Sequence, residues 1–62
     1  MTEKEIIEKI KQNKEVVKNY TPIRETFEVE IDGKRYRISR EKVEDQLGDD
    51  FTKDLIKKIK ES

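Results

Sequence analysis

The sequence predicts an α+β fold: a helix, a two-stranded antiparallel hairpin, a short helix and a last helix, with the helices packed on one face of the hairpin. Three observations predict it. Apolar residues recur at helical spacing near both ends of the chain. In the middle they alternate with charged residues, and an Asp-Gly pair divides the alternating segment in two. With 62 residues, we expect a single compact domain that spans residues 1–62.

The first predicted helix runs from Thr2 to about Asn19. Thr2 and Glu5 have the spacing of a capping box, in which each residue satisfies a backbone N–H of the other. Pro22 ends any helix, because it lacks a backbone N–H and pushes the preceding residue to an extended conformation. One broad apolar stripe follows the helix, and its members are Ile6, Ile7, Ile10, Val17 and Tyr20.

The hairpin is predicted from Thr26 to Ser39. The two-residue turn Asp32-Gly33 suits type I′ geometry, in which both residues have positive φ. This turn sets a register that pairs apolar with apolar and acidic with basic residues. The expected pairs are Phe27 with Ile38, Val29 with Tyr36, Glu28 with Arg37, Glu30 with Arg35 and Ile31 with Lys34.

Two helices are predicted after the hairpin. Ser39 is a natural N-cap for a short helix from about Arg40 to Leu47, which Gly48 ends. The last helix is predicted from about Asp50 to Glu61, with acidic residues at its start and lysines at its end, as the helix dipole favours. Its apolar face is formed by Phe51, Leu55, Ile56 and Ile59.

A small core and an exposed sheet edge follow from this arrangement. The predicted core is Ile6, Ile10, Val17, Tyr20, Phe27, Val29, Ile31, Tyr36, Ile38, Val43, Leu47, Phe51, Leu55 and Ile59. A two-stranded sheet leaves both edges unpaired, so a homodimer through the hairpin edge is one expected partner and another protein is the alternative. Four apolar residues are left over to line such a contact: Ile7, Val16, Ile23 and Ile56.

Composition excludes several classes of chemistry. Cysteine and histidine are absent, so we expect no disulfide, no metal site, no haem attachment and no cofactor. The acidic residues Asp45, Asp49, Asp50 and Asp54 match no calcium loop and suit helix capping. No apolar run is long enough to span a membrane, and the N-terminus lacks the features of a signal peptide. We therefore expect a cytoplasmic protein without catalytic activity.

The charged residues of the hairpin are the candidate interaction surface. These residues are Glu28, Glu30, Arg35, Arg37 and Arg40. Cross-strand ion pairing alone explains most of them, and 15 basic residues balance 15 acidic ones. Residues 1–20 and 21–40 each carry a net charge of +1 and residues 41–62 carry −2, so no strong basic field attracts nucleic acid.

One stretch, GKRYRISREKVEDQL from Gly33 to Leu47, resembles the end of the small excisionase-type and mercury-resistance-type DNA-binding domains. In those domains a similar strand belongs to a wing beside the duplex, which implies phosphate contacts for Arg35 and Arg37. The resemblance covers 15 of 62 residues. The family places its DNA-reading helices before the wing, whereas the sequence here predicts one uninterrupted helix from Met1 to Tyr20.

Two functions are therefore expected. The first is a non-catalytic compact scaffold or protein-interaction module, and the alternative is a small DNA-binding regulator that contacts phosphates through the Arg35/Arg37 strand. The consistent caps and the Asp-Gly turn are typical of a designed or engineered protein without natural activity. The absence of alanine, and eight isoleucines against two leucines, are typical of an AT-rich genome. The sequence leaves both origins open.

Overall fold

The computed structural model describes residues 1–61 and has helices and strands in the order α1 (Glu3–Gln12), β1 (Val17–Thr21), β2 (Thr26–Ile31), β3 (Lys34–Ser39), α2 (Arg40–Leu47) and α3 (Asp49–Glu61). The strands form one antiparallel sheet with the order β1-β2-β3. The α+β class is confirmed. The prediction of a two-stranded hairpin is wrong, because a third strand pairs with β2.

The predicted first helix is correct at its start and wrong beyond Gln12. Thr2 and Glu5 form the expected capping box. The helix ends because Asn13 is extended, and its side chain accepts a hydrogen bond of 3.0 Å from the backbone N–H of Glu15. A single 3-10 turn, Lys14–Val16, then leads into β1.

Pairing with β2 makes Val17–Thr21 a strand. Val17 lies opposite Val29, Tyr20 opposite Phe27 and Thr21 opposite Thr26. The β-branched and aromatic residues in this segment favour extended structure when a partner strand is available. The register shifts between Val17 and Asn19, as in a β-bulge. β2 is consequently the central strand, and one of the two edges predicted for self-association is occupied.

The predicted hairpin and its register are confirmed. All five expected pairs between β2 and β3 are present, and Thr26 also lies opposite Ser39. Asp32 and Gly33 have φ values of 53° and 79°, as a type I′ turn requires. The side chains of β2 alternate between half-buried and buried along its length, which gives the sheet one open face and one covered face.

The two C-terminal helices also follow the prediction closely. The Ser39 hydroxyl accepts a hydrogen bond of 3.4 Å from the backbone N–H of Lys42, and Gly48 separates α2 from α3. Helix α3 begins at Asp49, one residue earlier than predicted, and the Gly48 carbonyl accepts the backbone N–H of Thr52. The Thr52 hydroxyl donates a further bond of 2.9 Å to the same carbonyl, so this fully buried side chain is satisfied.

The helices cover the inner face of the sheet and form the core with it. The buried apolar residues are Ile6, Ile7, Ile10, Val17, Phe27, Val29, Ile31, Ile38, Val43 and Leu55. The other predicted core residues, Tyr20, Tyr36, Leu47, Phe51 and Ile59, are half-buried against them. Ile7, which the sequence predicts to be left over, is 5% exposed and belongs to the core. Ile23 is 95% exposed, so it takes no part in the core.

Candidate interaction surface

The open face of the sheet is lined by polar side chains from all three strands. Burial alternates along β2, and residues paired across strands share a face, so the outer face can be assigned residue by residue. It consists of Asn19, Thr21, Thr26, Glu28, Glu30, Arg35, Arg37 and Ser39. Its aromatic neighbours Tyr20 and Tyr36 lie on the alternate positions, toward the helices. The outer face therefore offers charge and hydrogen bonds and no stacking platform for bases.

Four of the five predicted surface residues come together on this face. Glu28 lies opposite Arg37 and Glu30 opposite Arg35. The ion pair, however, runs diagonally: Arg35 Nη1 lies 3.4 Å from Glu28 Oε1, and the Arg35 side chain is 74% exposed. Within residues 1–61, Arg37 takes part in none of the four salt bridges. Cross-strand pairing thus leaves much of the positive charge of β3 available.

Arg40, the fifth predicted residue, is directed elsewhere. It is the first residue of α2, and its Nε donates a hydrogen bond of 2.7 Å to Glu44. Its Nη1 donates a bond of 3.4 Å to the Tyr20 hydroxyl. These contacts, first with Tyr20 and then with Glu44, raise the pKa of Arg40 above the usual arginine value. Arg40 therefore lies between Glu44 of α2 and Tyr20 of β1, and its role in binding stays a prediction.

A shallow polar pocket lies at one end of the outer face. It has a volume of about 250 Å³ and is lined by Thr21, Arg24, Thr26, Glu28 and Arg37. The four-residue turn Pro22–Glu25 borders it and carries the exposed Ile23 at its tip. Sequence patterns alone do not indicate this pocket, because Thr21 and Arg24 reach the hairpin only through the pairing of β1 with β2. Knowledge of the third strand was needed to find it.

A second charged surface lies on α3. Lys53, Lys57 and Lys60 follow the i, i+4, i+7 spacing of one helix face, which we call the basic face of α3. Together with Arg40, Ile56 and Glu61 they line an open depression of about 530 Å³. Lys53 is held by Asp49 at 3.0 Å, and this hydrogen bond raises its pKa. The lysine spacing is visible in the sequence and could have indicated this surface.

Two of the acidic residues near α3 lie at the start of that helix, and one of them, Asp49, forms a salt bridge with Lys53. Asp49 and Asp50 lie in the first turn of the helix, where carboxylates are favoured by the helix dipole. Among residues 1–61, no group of three or more His, Cys, Asp or Glu side chains is arranged to hold a metal ion. Gly48 precedes the first residue of α3, so Asp49 and Asp50 fit the helix-dipole part of the interpretation, and a side-chain cap by either stays a prediction.

The chain finds no match among protein-family models, curated proteins or solved structures. The junction from β3 through Ser39 to α2 has the strand–serine–helix form noted in the sequence. Before β3, however, the structure has one helix and two strands, whereas the resembled domains have a DNA-reading helix pair there. None of the helices in the part of the chain described is long and apolar enough to cross a membrane.

Proposed function

We propose that this protein is a non-catalytic interaction module that binds another protein through the outer face of its sheet. One observation carries the proposal. Within residues 1–61 no other element covers the outer face, and β3 presents Arg35 and Arg37 exposed on it. A sheet that is apolar on its inner side and charged on its outer side is stable without a partner, so the outer charges are free to select one.

The surroundings of the paired carboxylates Glu28 and Glu30 support a non-catalytic role. General acid–base work by two carboxylates needs one of them in an apolar environment that holds its proton. Glu28 and Glu30 lie instead on the open face, and Glu28 is in contact with Arg35. The polar pocket beside them is shallow and is shared with the cations Arg24 and Arg37. Charge neutralisation is the chemistry that these groups favour.

The charges on β3 favour a different protein as the binding partner over a second copy of this chain. Lys34, Arg35 and Arg37 all lie on this one edge strand and are exposed. In a symmetric antiparallel pairing of two β3 strands, the arginines of both copies would lie on the same face and close together. Like charges across strands are destabilising, and basic residues on an edge strand discourage such pairing. The homodimer predicted from the sequence is thus the less favoured arrangement.

Selection from a random peptide library tests the proposal. Immobilised wild-type protein should enrich peptides that the variant R35E/R37E does not retain, because the charge reversal removes the attraction without touching the core. Equal enrichment on both proteins would contradict binding at the outer face. If neither protein enriches any peptide, the result would contradict an interaction module and favour a compact scaffold that has no partner.

A DNA-binding regulator is the second candidate, favoured by the grouping of Arg24, Arg35 and Arg37 around one face. Fluorescence anisotropy with a generic duplex at low salt separates the two functions. A DNA-binding protein should bind the duplex, and its affinity should fall steeply as the salt concentration rises, since each phosphate contact releases a counterion. We expect no saturable binding, because Glu28 and Glu30 share the face with the arginines.

A further inference from the structure

The free edge of β3 directs the backbone groups of two particular residues outward. Ile31 and Lys34 flank the two-residue turn and lie opposite each other. In such a hairpin the pair that closes the turn is hydrogen-bonded, and hydrogen-bonded pairs then alternate with non-bonded ones. Arg35 and Arg37 belong to the non-bonded positions. Their N–H and C=O groups therefore point away from β2, toward the unoccupied side of the sheet.

No other segment of residues 1–61 takes up these groups. Apart from the bonds within helices and the sheet, the backbone hydrogen bonds of the described chain lie in caps and turns, and none involves Arg35 or Arg37. An extended peptide that adds to this edge would complete them, as in strand addition to other sheet edges. The edge is a binding position that the fold leaves open.

The side chains of the same two residues define what such a peptide must carry. On the side of β3 that pairs with β2, Glu28 lies opposite Arg37 and Glu30 lies opposite Arg35. These two acidic residues are two positions apart along β2. The only ion pair in this group is the 3.4 Å contact of Arg35 with Glu28. A peptide with the same spacing of acidic residues would place one carboxylate opposite each arginine from the free side. Such cross-strand pairs of opposite charge are favourable.

The residue between the two acidic ones is also constrained. Side chains alternate along a strand, so this residue would lie on the inner side of the sheet, next to Tyr36. Tyr36 lies on the edge strand and is half-buried against the core, so part of its side chain remains accessible. An apolar side chain would cover that part. The preferred pattern is therefore acidic, apolar, acidic.

The geometry points to the β3 edge as an acceptor for an extended acidic segment of a partner protein, which adds antiparallel to β3 as a fourth strand. This inference rests on the proposed function and narrows it, because it names the binding edge, the binding mode and the chemistry of the partner. It assigns the backbone of Arg35 and Arg37 to hydrogen bonding and their side chains to the carboxylates.

A peptide in which glutamate and valine alternate over about eight residues is a suitable probe, since strands are usually of that length or shorter. Binding is followed by amide resonances of the whole protein, which report affinity and location together. We expect shifts centred on Arg35–Ser39, and affinity that decreases with salt. A peptide of the same composition with its glutamates contiguous is the first control and should bind more weakly.

N-methylation of the peptide tests the backbone bonds without altering the protein. The glutamates lie opposite Arg35 and Arg37, so their N–H groups face β3 and those of the valines face away. Methylating two glutamate nitrogens should weaken binding by at least about tenfold, because it removes two hydrogen bonds. Methylating two valine nitrogens should have a much smaller effect. An equal loss of affinity on methylating the glutamate and the valine nitrogens would overturn strand addition.

The variant R35Q/R37Q separates the side-chain contribution from the backbone. This variant keeps the backbone amide groups of β3. It should bind the alternating peptide with lower affinity, and the amide resonances away from the substitutions should stay in place. Equal affinity for the alternating and contiguous peptides, or shifts on the basic face of α3, would overturn the inference. If library peptides still depend on Arg35 and Arg37 while the alternating peptide does not bind, the inference fails and the proposed function stands. If neither kind of peptide binds, both fail.

Discussion

Tyr20 and Phe27 lie directly opposite each other across β1 and β2, with their ring centroids 4.9 Å apart and their planes inclined at 41°. This separation and tilt are favourable for an aromatic pair. Phe27 is fully buried, and Tyr20 shields it from the side of the β1 edge. The Tyr20 hydroxyl also accepts a hydrogen bond from Arg40. One side chain thus links the added strand, the central strand and α2.

Replacing Tyr20 should weaken the fold through the ring and hardly at all through the hydroxyl. We expect Tyr20→Ala to lower the free energy of unfolding by about 2 kcal/mol, because the half-buried ring and its aromatic partner are lost. Tyr20→Phe keeps both and should change little, since the bond to Arg40 is long at 3.4 Å. Urea unfolding followed by circular dichroism measures the difference. Equal losses in the two variants would contradict a packing role for the ring.

The two glycines should differ in their tolerance of a side chain. A Cβ at Gly33 or Gly48 would meet no atom within 4 Å, so only the backbone conformation matters. Gly33, with φ of 79°, lies near the left-handed region that Asn also adopts, and Gly33→Ala should cost about 1 kcal/mol. Gly48, with φ of 92° and ψ of 162°, lies in a region almost reserved for glycine, and Gly48→Ala should cost about 2–3 kcal/mol.

Thermal unfolding of these variants, with Gly33→Asn as the matched control, checks the expected order of the stability losses. Asn adopts the left-handed conformation more readily than Ala, so it should be the mildest of the three changes. A larger effect of Gly33→Ala than of Gly48→Ala would show that steric or turn effects outweigh the conformation of the α2–α3 junction.

Stability should decrease in acid through two lowered carboxylate pKa values. A hydrogen bond from Lys58, aided by its charge, lowers the pKa of Glu15, and the backbone N–H and hydroxyl of Thr2 lower the pKa of Glu5. A lowered folded-state pKa stabilises the protein above the ordinary value of 4.5, and this contribution is lost as the pH falls below it.

The variant Glu15→Gln isolates the contact with Lys58. It should be less stable than wild type at neutral pH, and the two proteins should converge below pH 4.5 as wild type loses its carboxylate. Glu8→Gln, at an exposed position outside the four salt bridges of residues 1–61, is the control and should follow wild type. A constant difference between Glu15→Gln and wild type across the pH range would show that the contact does not act through ionisation.

The sequence predicted the hairpin correctly because two independent signals agreed there. Turn chemistry at Asp32-Gly33 and the alternation of Phe27, Val29 and Ile31 led to the same register. The prediction of the first helix was wrong beyond Gln12 for a specific reason. The bulge near Lys18 places Val17 and Tyr20, three residues apart, on the same face of the sheet. That spacing is also one of the spacings of a helix, so β1 prolonged the apparent helical stripe.

The candidate surface was predictable where it depended on local pairing and not where it depended on distant contacts. Glu28, Glu30, Arg35 and Arg37 could be placed on one face from the hairpin register alone. The direction of Arg40 follows from its contact with Tyr20, which is twenty residues away in the chain. The polar pocket beside Arg37 likewise needs β1. Long-range pairing of strands is the information that a periodicity analysis does not contain.

We propose that the outer face and the β3 edge, and not the basic face of α3, bind a protein partner. Calorimetry with one library-selected peptide tests it most directly, using two variants of identical charge change, R35E/R37E and K57E/K60E. Lys57 and Lys60 are exposed residues of α3, as Arg35 and Arg37 are of β3, so both variants leave the core side chains unchanged. We expect R35E/R37E to lose binding and K57E/K60E to retain the wild-type affinity. Loss in K57E/K60E with full affinity in R35E/R37E would contradict it.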